Sequence, residues 1–209
     1  MSVSKLYDAV AAEYDSVVES SQYVGPRWLE LALADISEPR SIVDFGCANG
    51  ALGKILRRRY PFARLVGFDA SPGMIREAKL SAAYDELALH DLNSALPSVG
   101  TASIQLAVAL GFAEFLDDPR SFLSETARLL APGGTLLISF QEFWPDRPRL
   151  APRTTRTGVV LHHAYSLAEV SALLHEQPFI VNRFESVTGY VSAGFAYPYI
   201  LASAVRRSA

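Results

Sequence analysis

The stretch Ile42–Gly53 reads IVDFGCANGALG, and it decides the fold of this chain. A short apolar strand runs into Asp44, and glycines follow at positions 46, 50 and 53, where a helix begins. Glycine lacks a Cβ, so the backbone can turn sharply there and lie close to a ligand. The helix that follows points its free N–H groups at the same place. The pattern therefore predicts a strand, a ligand-binding turn and a helix.

A second strand, Leu65–Phe68, ends in Asp69, which lies 19 residues beyond Gly50. An acid about 20 residues after a glycine-rich turn, at the tip of the next parallel strand, is placed to accept hydrogen bonds from ribose hydroxyls. The alternative is that Asp69 caps the helix that begins at Ser71-Pro72. The glycine turn favours the first role, so the two segments together predict a nucleoside-binding site.

The spacing of the glycines narrows the range of nucleoside-containing ligands that the turn is expected to bind. A dinucleotide site is typified by G-x-G-x-x-G, whereas this turn reads D-x-G-x-x-x-G-x-x-G, which is wider. Asp44 stands at its mouth, where it would repel a pyrophosphate. The chain has no Gly-Lys-Ser/Thr sequence, which excludes a P-loop.

Three segments resemble, in order and at matching separations, motifs of the class I methyltransferases that use S-adenosylmethionine. Val43–Gly50 is similar to the family's V-D-x-G-C-G-x-G, with Ala48 where glycine is common. Gly67–Met74 is similar to G-x-D-x-S-x-x-M, and Leu129–Ile138 to L-x-P-G-G-x-L. The resemblance covers roughly Tyr7–Val205 and implies S-adenosylmethionine as cofactor and methyl transfer to an O, N or C atom of a small molecule. Because fold alone does not fix chemistry, a non-methylating enzyme such as a cyclase, or a binding module, is the alternative.

Apolar strands alternate with helices along the whole chain. Helices are predicted near residues 5–13, 22–35, 51–59, 72–80, 119–130 and 167–176, and strands near 41–45, 65–69, 86–90, 104–110, 135–140, 180–191 and 195–205. This alternation predicts a doubly wound, mostly parallel α/β sheet of seven strands with helices on both faces. The resemblance implies that the last two strands form an antiparallel C-terminal hairpin. Residues 1–209 would then be a single Rossmann-like domain.

Two segments are expected to cover the site. Residues 1–35 are predicted to form an N-terminal helical cap, and residues 141–165 a lid on the substrate side. Within the second segment, Gln141–Thr157 carries three prolines and is too proline-rich for a helix. We expect a loop over the substrate pocket there, with a disordered segment as the alternative.

The resemblance also assigns cofactor contacts. Gly46 and Gly50 would admit the methionine portion and the sugar, and Asp44 would hold the turn or bind the ammonium group. Asp91-Leu92 would lie against adenine, although Asp91 could instead cap a turn. The residues expected to bind the cofactor are Tyr14, Asp44, Gly46, Cys47, Ala48, Gly50, Asp69, Ala70, Met74, Asp91, Leu92 and Leu110. A core role is the alternative for Met74, and Cys47 is interpreted as a small buried side chain, not a nucleophile.

Candidate catalytic residues come from two places. Tyr7 and Tyr14-Asp15 form a Y-x6-Y-D pattern similar to small-molecule methyltransferases, in which a tyrosine closes over the sulfonium, since an aromatic face attracts a cation. The alternative is tyrosines packed on the core. His162 and His163 precede a helix, and either is suited to act as a general base near neutral pH, unless they only end a strand. No metal site is expected, because no third ligand is apparent.

Composition limits the function classes. The chain has 209 residues, 50% of them hydrophobic, and a net charge of −3 with a sequence pI near 5.8. Such a balance argues against nucleic acid as a partner. One cysteine excludes an internal disulfide, and no apolar run reaches membrane-spanning length. We therefore expect a cytoplasmic enzyme, monomeric or homodimeric, that acts on a small molecule without a membrane or nucleic-acid partner.

Overall fold

The computed structural model of the protein describes residues 2–94, 99–144, 146, 154–157 and 160–208. A seven-stranded sheet lies at its centre, in the order β3-β2-β1-β4-β5-β9-β8. The strands are β1 Ser41–Phe45, β2 Arg64–Asp69, β3 Glu86–Leu89, β4 Ile104–Ala109, β5 Leu130–Gln141, β6 Thr154–Thr157, β7 Val160–His163, β8 Phe179–Ser192 and β9 Phe195–Arg206. Strands β1 to β5 are parallel, and β9 pairs antiparallel with both β5 and β8. The predicted α/β sheet with its C-terminal hairpin is confirmed.

Seven α-helices lie in the described part of the chain. They are α1 Val3–Val10, α2 Tyr14–Ser21, α3 Gly25–Ala32, α4 Ala51–Arg59, α5 Pro72–Leu80, α6 Pro119–Leu129 and α7 Leu167–His175. Helix α2 was not predicted, because its apolar residues are only Tyr14, Val17 and Val18, a stripe of about one helical turn. Among the described helices, none is long and apolar enough to cross a membrane.

The helices cover both faces of the sheet. Successive strand residues point to opposite faces, so the apolar run in β4 divides between two cores. Ala107 packs with side chains of α6 and α7, whereas Leu106 packs with side chains of α3 and α4. Burial on both faces explains why the central strands are continuously apolar.

The sheet places the candidate site between β1 and β4. The strand order reverses there, since β2 lies on one side of β1 and β4 on the other. In open α/β sheets, ligands bind outside the carboxyl ends of the strands at such a reversal. Asp44, Asp69 and the segment after β4 all lie at this edge.

The expectation of a loop in residues 141–157 is wrong for part of that segment. Strands β6 and β7 pair as an antiparallel hairpin, with Thr154 opposite His163 and Thr157 opposite Val160. Threonine and valine are β-branched and favour strands, which the proline count obscured. Residues 145, 147–153 and 158–159, which include the prolines of the predicted lid, lie outside the described part of the chain.

Candidate functional site

The glycine turn is held against β2 by backbone hydrogen bonds. The N–H groups of Gly46 and Cys47 both donate to the carbonyl of Phe68, at 2.8 and 2.9 Å. Gly46 and Gly50 have φ angles of 69° and 87°, a region that favours glycine. A Cβ on Gly50 would also lie 2.8 Å from Oγ of Ser81. The turn therefore requires glycine at both positions.

Asp69 ties this turn to the start of α5. Its Oδ2 accepts from the N–H of Ala48 at 2.9 Å, and its Oδ1 accepts from the N–H of Ser71 at 2.8 Å. Burial raises the pKa of Asp69, and these hydrogen bonds oppose that rise. Ser71, not Asp69, caps α5, because its Oγ accepts from the N–H of Met74. The sequence did not show that Asp69 also organises the turn.

Ala48 supplies a stability prediction. Its φ is 46°, so an L-residue occupies the left-handed region, which costs about 1–2 kcal/mol. We expect Ala48→Gly to raise the free energy of unfolding by about 0.5–1 kcal/mol, since glycine's extra freedom in the unfolded chain offsets part of the relief. Ala51→Gly, at the first residue of α4, should lower it instead. Urea unfolding of both variants measures the difference; a less stable A48G protein would contradict the assignment of strain.

Asp44 is fully buried and only partly hydrogen-bonded. Its Oδ2 accepts from the hydroxyl of Tyr84 at 2.7 Å, while Oδ1 has no partner among the described residues. Burial raises the pKa of Asp44 to about 7, against the effect of the Tyr84 hydrogen bond. Tyr84 also occupies the space beside Gly53, where a Cβ would lie 2.3 Å from the tyrosine hydroxyl. Sequence analysis missed Tyr84, because it is 40 residues from its partner.

The N-terminal helices are fastened to the same turn. Asp8 of α1 accepts from Oγ of Ser71 at 2.7 Å and from the N–H of Gly73 at 2.5 Å. Asn49, inside the turn, donates from Nδ2 to Asp15 of α2. Helices α1 and α2 therefore lie over the carboxyl ends of β1 and β2.

A carboxyl group surrounded by tyrosines lies after β4. We call Glu114 together with Tyr7, Tyr14, Tyr23, Tyr190 and Tyr199 the tyrosine cluster. Glu114 is 3% exposed; its Oε1 accepts from the hydroxyl of Tyr199, and its Oε2 has no partner in the described part of the chain. Burial raises the pKa of Glu114 to about 7. Burial also raises the pKa values of all five tyrosine hydroxyls, and the negative charge of Glu114 raises them further.

The rings of the cluster pack edge to face. Tyr199 lies 6.3 Å from Tyr23 and 5.9 Å from Tyr190, measured between ring centroids. Tyr7 lies 6.0 Å from Tyr14 and bridges the cluster to Phe115 at 5.8 Å. The cluster thus joins α1, α2 and the β8–β9 hairpin around one carboxyl group.

The structure separates the two candidate histidines. The ring of His162 lies 4.6 Å from that of Phe115, next to the tyrosine cluster. Its Nε2 is buried without a partner among the described residues, and burial lowers the pKa of the imidazole. His163 is the next residue of β7, so its side chain points to the opposite face. Sequence spacing could not distinguish them.

Other predicted cofactor residues differ in how accessible they are. The side chains of Cys47, Met74 and Leu110 are buried, at 2%, 0% and 4% exposure, as are those of Asp44 and Glu114. Ala70 is half-buried beside Asp69.

Asp91 and Leu92 lie beyond β3, away from these buried side chains. Asp91 is exposed and accepts from the N–H of Asn93, as the turn-capping alternative predicted, and Leu92 packs partly on the core. Across the described ranges, no three His, Cys, Asp or Glu side chains are grouped as metal ligands.

Known methyltransferases match the part of the chain that carries the three motifs. Residues 43–136 match a family model described as a methyltransferase domain. Malonyl-[acyl-carrier protein] O-methyltransferase of Hahella chejuensis is 37% identical over 141 residues, which are 66% of this chain and 48% of that protein. The chain spans about half the length of the curated relatives it matches.

Solved structures share the fold over most of the chain. A SAM-dependent methyltransferase of Methanosarcina mazei gives a TM-score of 0.72 at 18% identity, covering 86% of this chain and 98% of that one. The [4+2]-cyclase SpnF gives a TM-score of 0.75 at 16% identity, covering 99% and 96%. Identities this low show the fold alone. The methyltransferase domain matched by residues 43–136, the curated methyltransferase relatives and the fold together support a class I S-adenosylmethionine-dependent methyltransferase.

Proposed function

We propose that this chain transfers the methyl group of S-adenosylmethionine to an O, N or C atom of a small molecule. One observation carries the proposal: two buried carboxyl groups, Asp44 and Glu114, each keep one oxygen that no described residue engages. A buried polar atom without a partner is costly, so it indicates a place that a ligand completes. Asp44 lies at the end of β1, directly before the glycine turn, and Glu114 lies beyond β4. We assign the first to the cofactor side and the second to the acceptor side.

On the cofactor side, the residues of the glycine turn and of the β2 and β3 ends would bind S-adenosylmethionine. The free Oδ1 of Asp44 would accept from the ammonium of S-adenosylmethionine. Asp69 would accept from ribose hydroxyls with the lone pairs that its two backbone donors leave unused. Gly46 and Gly50 would let the ligand approach the backbone, and Asp91-Leu92 would lie at the adenine.

On the acceptor side, the tyrosine cluster would hold the nucleophile in line with the methyl group. The nucleophile attacks the methyl carbon, and the carbon–sulfur bond breaks with its electron pair on sulfur, leaving S-adenosylhomocysteine. Holding the two reactants in this alignment contributes up to about 7–11 kcal/mol in favourable systems. Tyr14 would face the sulfonium, because aromatic rings attract cations.

The cap and lid are proposed to close this site. Residues 1–35 would cover the cofactor, supported by the Asp8 and Asp15 contacts, and residues 141–165 would cover the acceptor. The buried tyrosine cluster and the net charge of −3 favour a small-molecule acceptor over nucleic acid or a membrane surface. We propose that the enzyme acts as a monomer or a homodimer. The Hahella relative is named as an O-methyltransferase, so an oxygen atom is one candidate acceptor.

Accumulation of S-adenosylhomocysteine tests the proposed function. We expect the protein to bind S-adenosylmethionine and to convert it when supplied with an acceptor. His162→Ala should slow turnover at least fivefold more than His163→Ala, with cofactor affinity unchanged in both, because His162 lies beside the cluster. Binding without consumption during turnover would instead favour the cyclase or binding-module alternative. If turnover falls more in H163A than in H162A, His163 is the better candidate for the general base.

A further inference from the structure

Glu114 has no cationic partner in the described residues. None of the ion pairs there includes it, and its one described side-chain partner, the Tyr199 hydroxyl, is neutral. An unpaired carboxyl buried to 97% is a costly feature unless something completes it. The free Oε2 atom therefore requires a donor or a cation that this part of the chain does not supply.

The surroundings of Glu114 select a positive charge. The five tyrosine hydroxyls stay protonated near neutral pH, since burial raises their pKa values. The faces of aromatic rings attract ammonium groups and repel anions. A carboxylate acceptor would meet both the rings and the Glu114 carboxyl, so it is disfavoured there.

The sulfonium of the cofactor is the competing cation. A carboxylate in contact with it would stabilise the reactant more than the transition state, because positive charge leaves sulfur as the methyl group moves. Such a contact would slow the reaction that the site is proposed to perform. The free oxygen of Asp44 already offers a partner for the cofactor's ammonium. Glu114 is therefore better matched to the acceptor.

We propose that the acceptor is a small apolar amine, bound as an ammonium ion by the free oxygen of Glu114 inside the tyrosine cluster. This inference rests on the proposed function. The Glu114 carboxylate takes one proton from the ammonium, which frees the nitrogen lone pair. That lone pair attacks the methyl carbon, and the carbon–sulfur bond breaks onto sulfur. The product leaves as a methylated ammonium, and Glu114 returns its proton to solvent.

Three probes of matched shape test the charge that the site selects: 2-phenylethylamine, 2-phenylethanol and 3-phenylpropionate. Calorimetry in the presence of S-adenosylhomocysteine measures their binding, and incubation with S-adenosylmethionine measures turnover. We expect the amine to bind at least tenfold more tightly than the other two. Glu114→Gln should remove that preference and leave cofactor affinity within twofold. Glu125→Gln, which removes a carboxylate paired with Arg128 on α6, is the matched control and should behave as wild type.

The outcomes separate this inference from the proposed function. Amine binding that depends on Glu114, without S-adenosylhomocysteine formation, supports the ligand class and contradicts methyl transfer. Methylation of the alcohol or the carboxylate but not the amine supports methyl transfer and overturns the amine. The amine is also overturned if none of the probes binds, if E114Q keeps the preference, or if E114Q loses cofactor affinity as much as amine affinity. Thermal melting of E114Q confirms that the variant is folded before these comparisons.

Discussion

Asp69→Ala should weaken S-adenosylmethionine binding at least tenfold, which is about 1.4 kcal/mol. The loss has two sources in the structure. The carboxylate is the proposed acceptor for ribose hydroxyls, and it already accepts from the N–H groups of Ala48 and Ser71. Alanine leaves both donors without that partner, so we also expect the free energy of unfolding to fall by about 1–3 kcal/mol. Calorimetry and urea unfolding measure the two effects.

A cofactor analogue separates the ribose contact from the organisation of the turn. Wild-type protein should bind S-adenosylhomocysteine more tightly than its 2′-deoxy analogue, whereas the Asp69→Ala variant should bind the two with similar affinity. Asp35→Ala, at an exposed position before β1, is the control and should change neither affinity nor stability appreciably. If the variant keeps the wild-type preference for the ribose hydroxyl, Asp69 serves only the turn.

Sequence patterns predicted what local physics controls. The strands follow from apolar runs, and the turn at Gly46 and Gly50 follows from the need for positive φ angles. Asp69 was placed correctly at the end of β2, since the carboxyl ends of parallel strands share one edge. These features depend on residues close together in the chain, so local sequence patterns are enough to predict them.

Partners that are distant in sequence could not be predicted. The Tyr84–Asp44 and Tyr199–Glu114 hydrogen bonds join residues 40 and 85 positions apart, and no pattern in either segment indicates the other. The β6–β7 hairpin was missed for a different reason. Its strands are four residues each, too short for their alternation to outweigh the nearby prolines.

The two buried acids make the stability of the free protein depend on pH. Asp44 and Glu114 both have pKa values raised to about 7 by burial, from 3.8 and 4.5. The folded state therefore holds their protons more tightly than the unfolded state does. Their contribution is complete below about pH 4 and is lost as pH rises towards 7, by about 3–4 kcal/mol for each group at most. The free energy of unfolding should thus fall across this range.

Comparison with variants isolates this effect from the other acids. Asp118 and Glu125 have lowered pKa values, because of their hydrogen bonds to Ser121 and Arg128, and they lose stabilisation in acid. Asp44→Asn and Glu114→Gln should each flatten the fall between pH 4 and 7, whereas Glu125→Gln should not. Burial also raises the pKa values of the groups beside the two acids, which are Asp69, Tyr84 and Cys47 near Asp44 and the five tyrosines around Glu114. His162, next to the tyrosine cluster, has a pKa lowered by burial, so its own contribution to stability rises with pH.

Cofactor binding should lower the pKa of Asp44 and favour its ionised form. An ammonium beside its free oxygen favours the ionised carboxyl, so the bound state lowers the pKa that burial had raised. At pH 6, we expect S-adenosylmethionine to release a proton on binding and its affinity to rise with pH until about 7. Calorimetry in two buffers of different ionisation enthalpy counts the proton, and Asp44→Asn should abolish the release. Because an uptake of protons would require the acid to become neutral on binding, that result would remove Asp44 from the ammonium site.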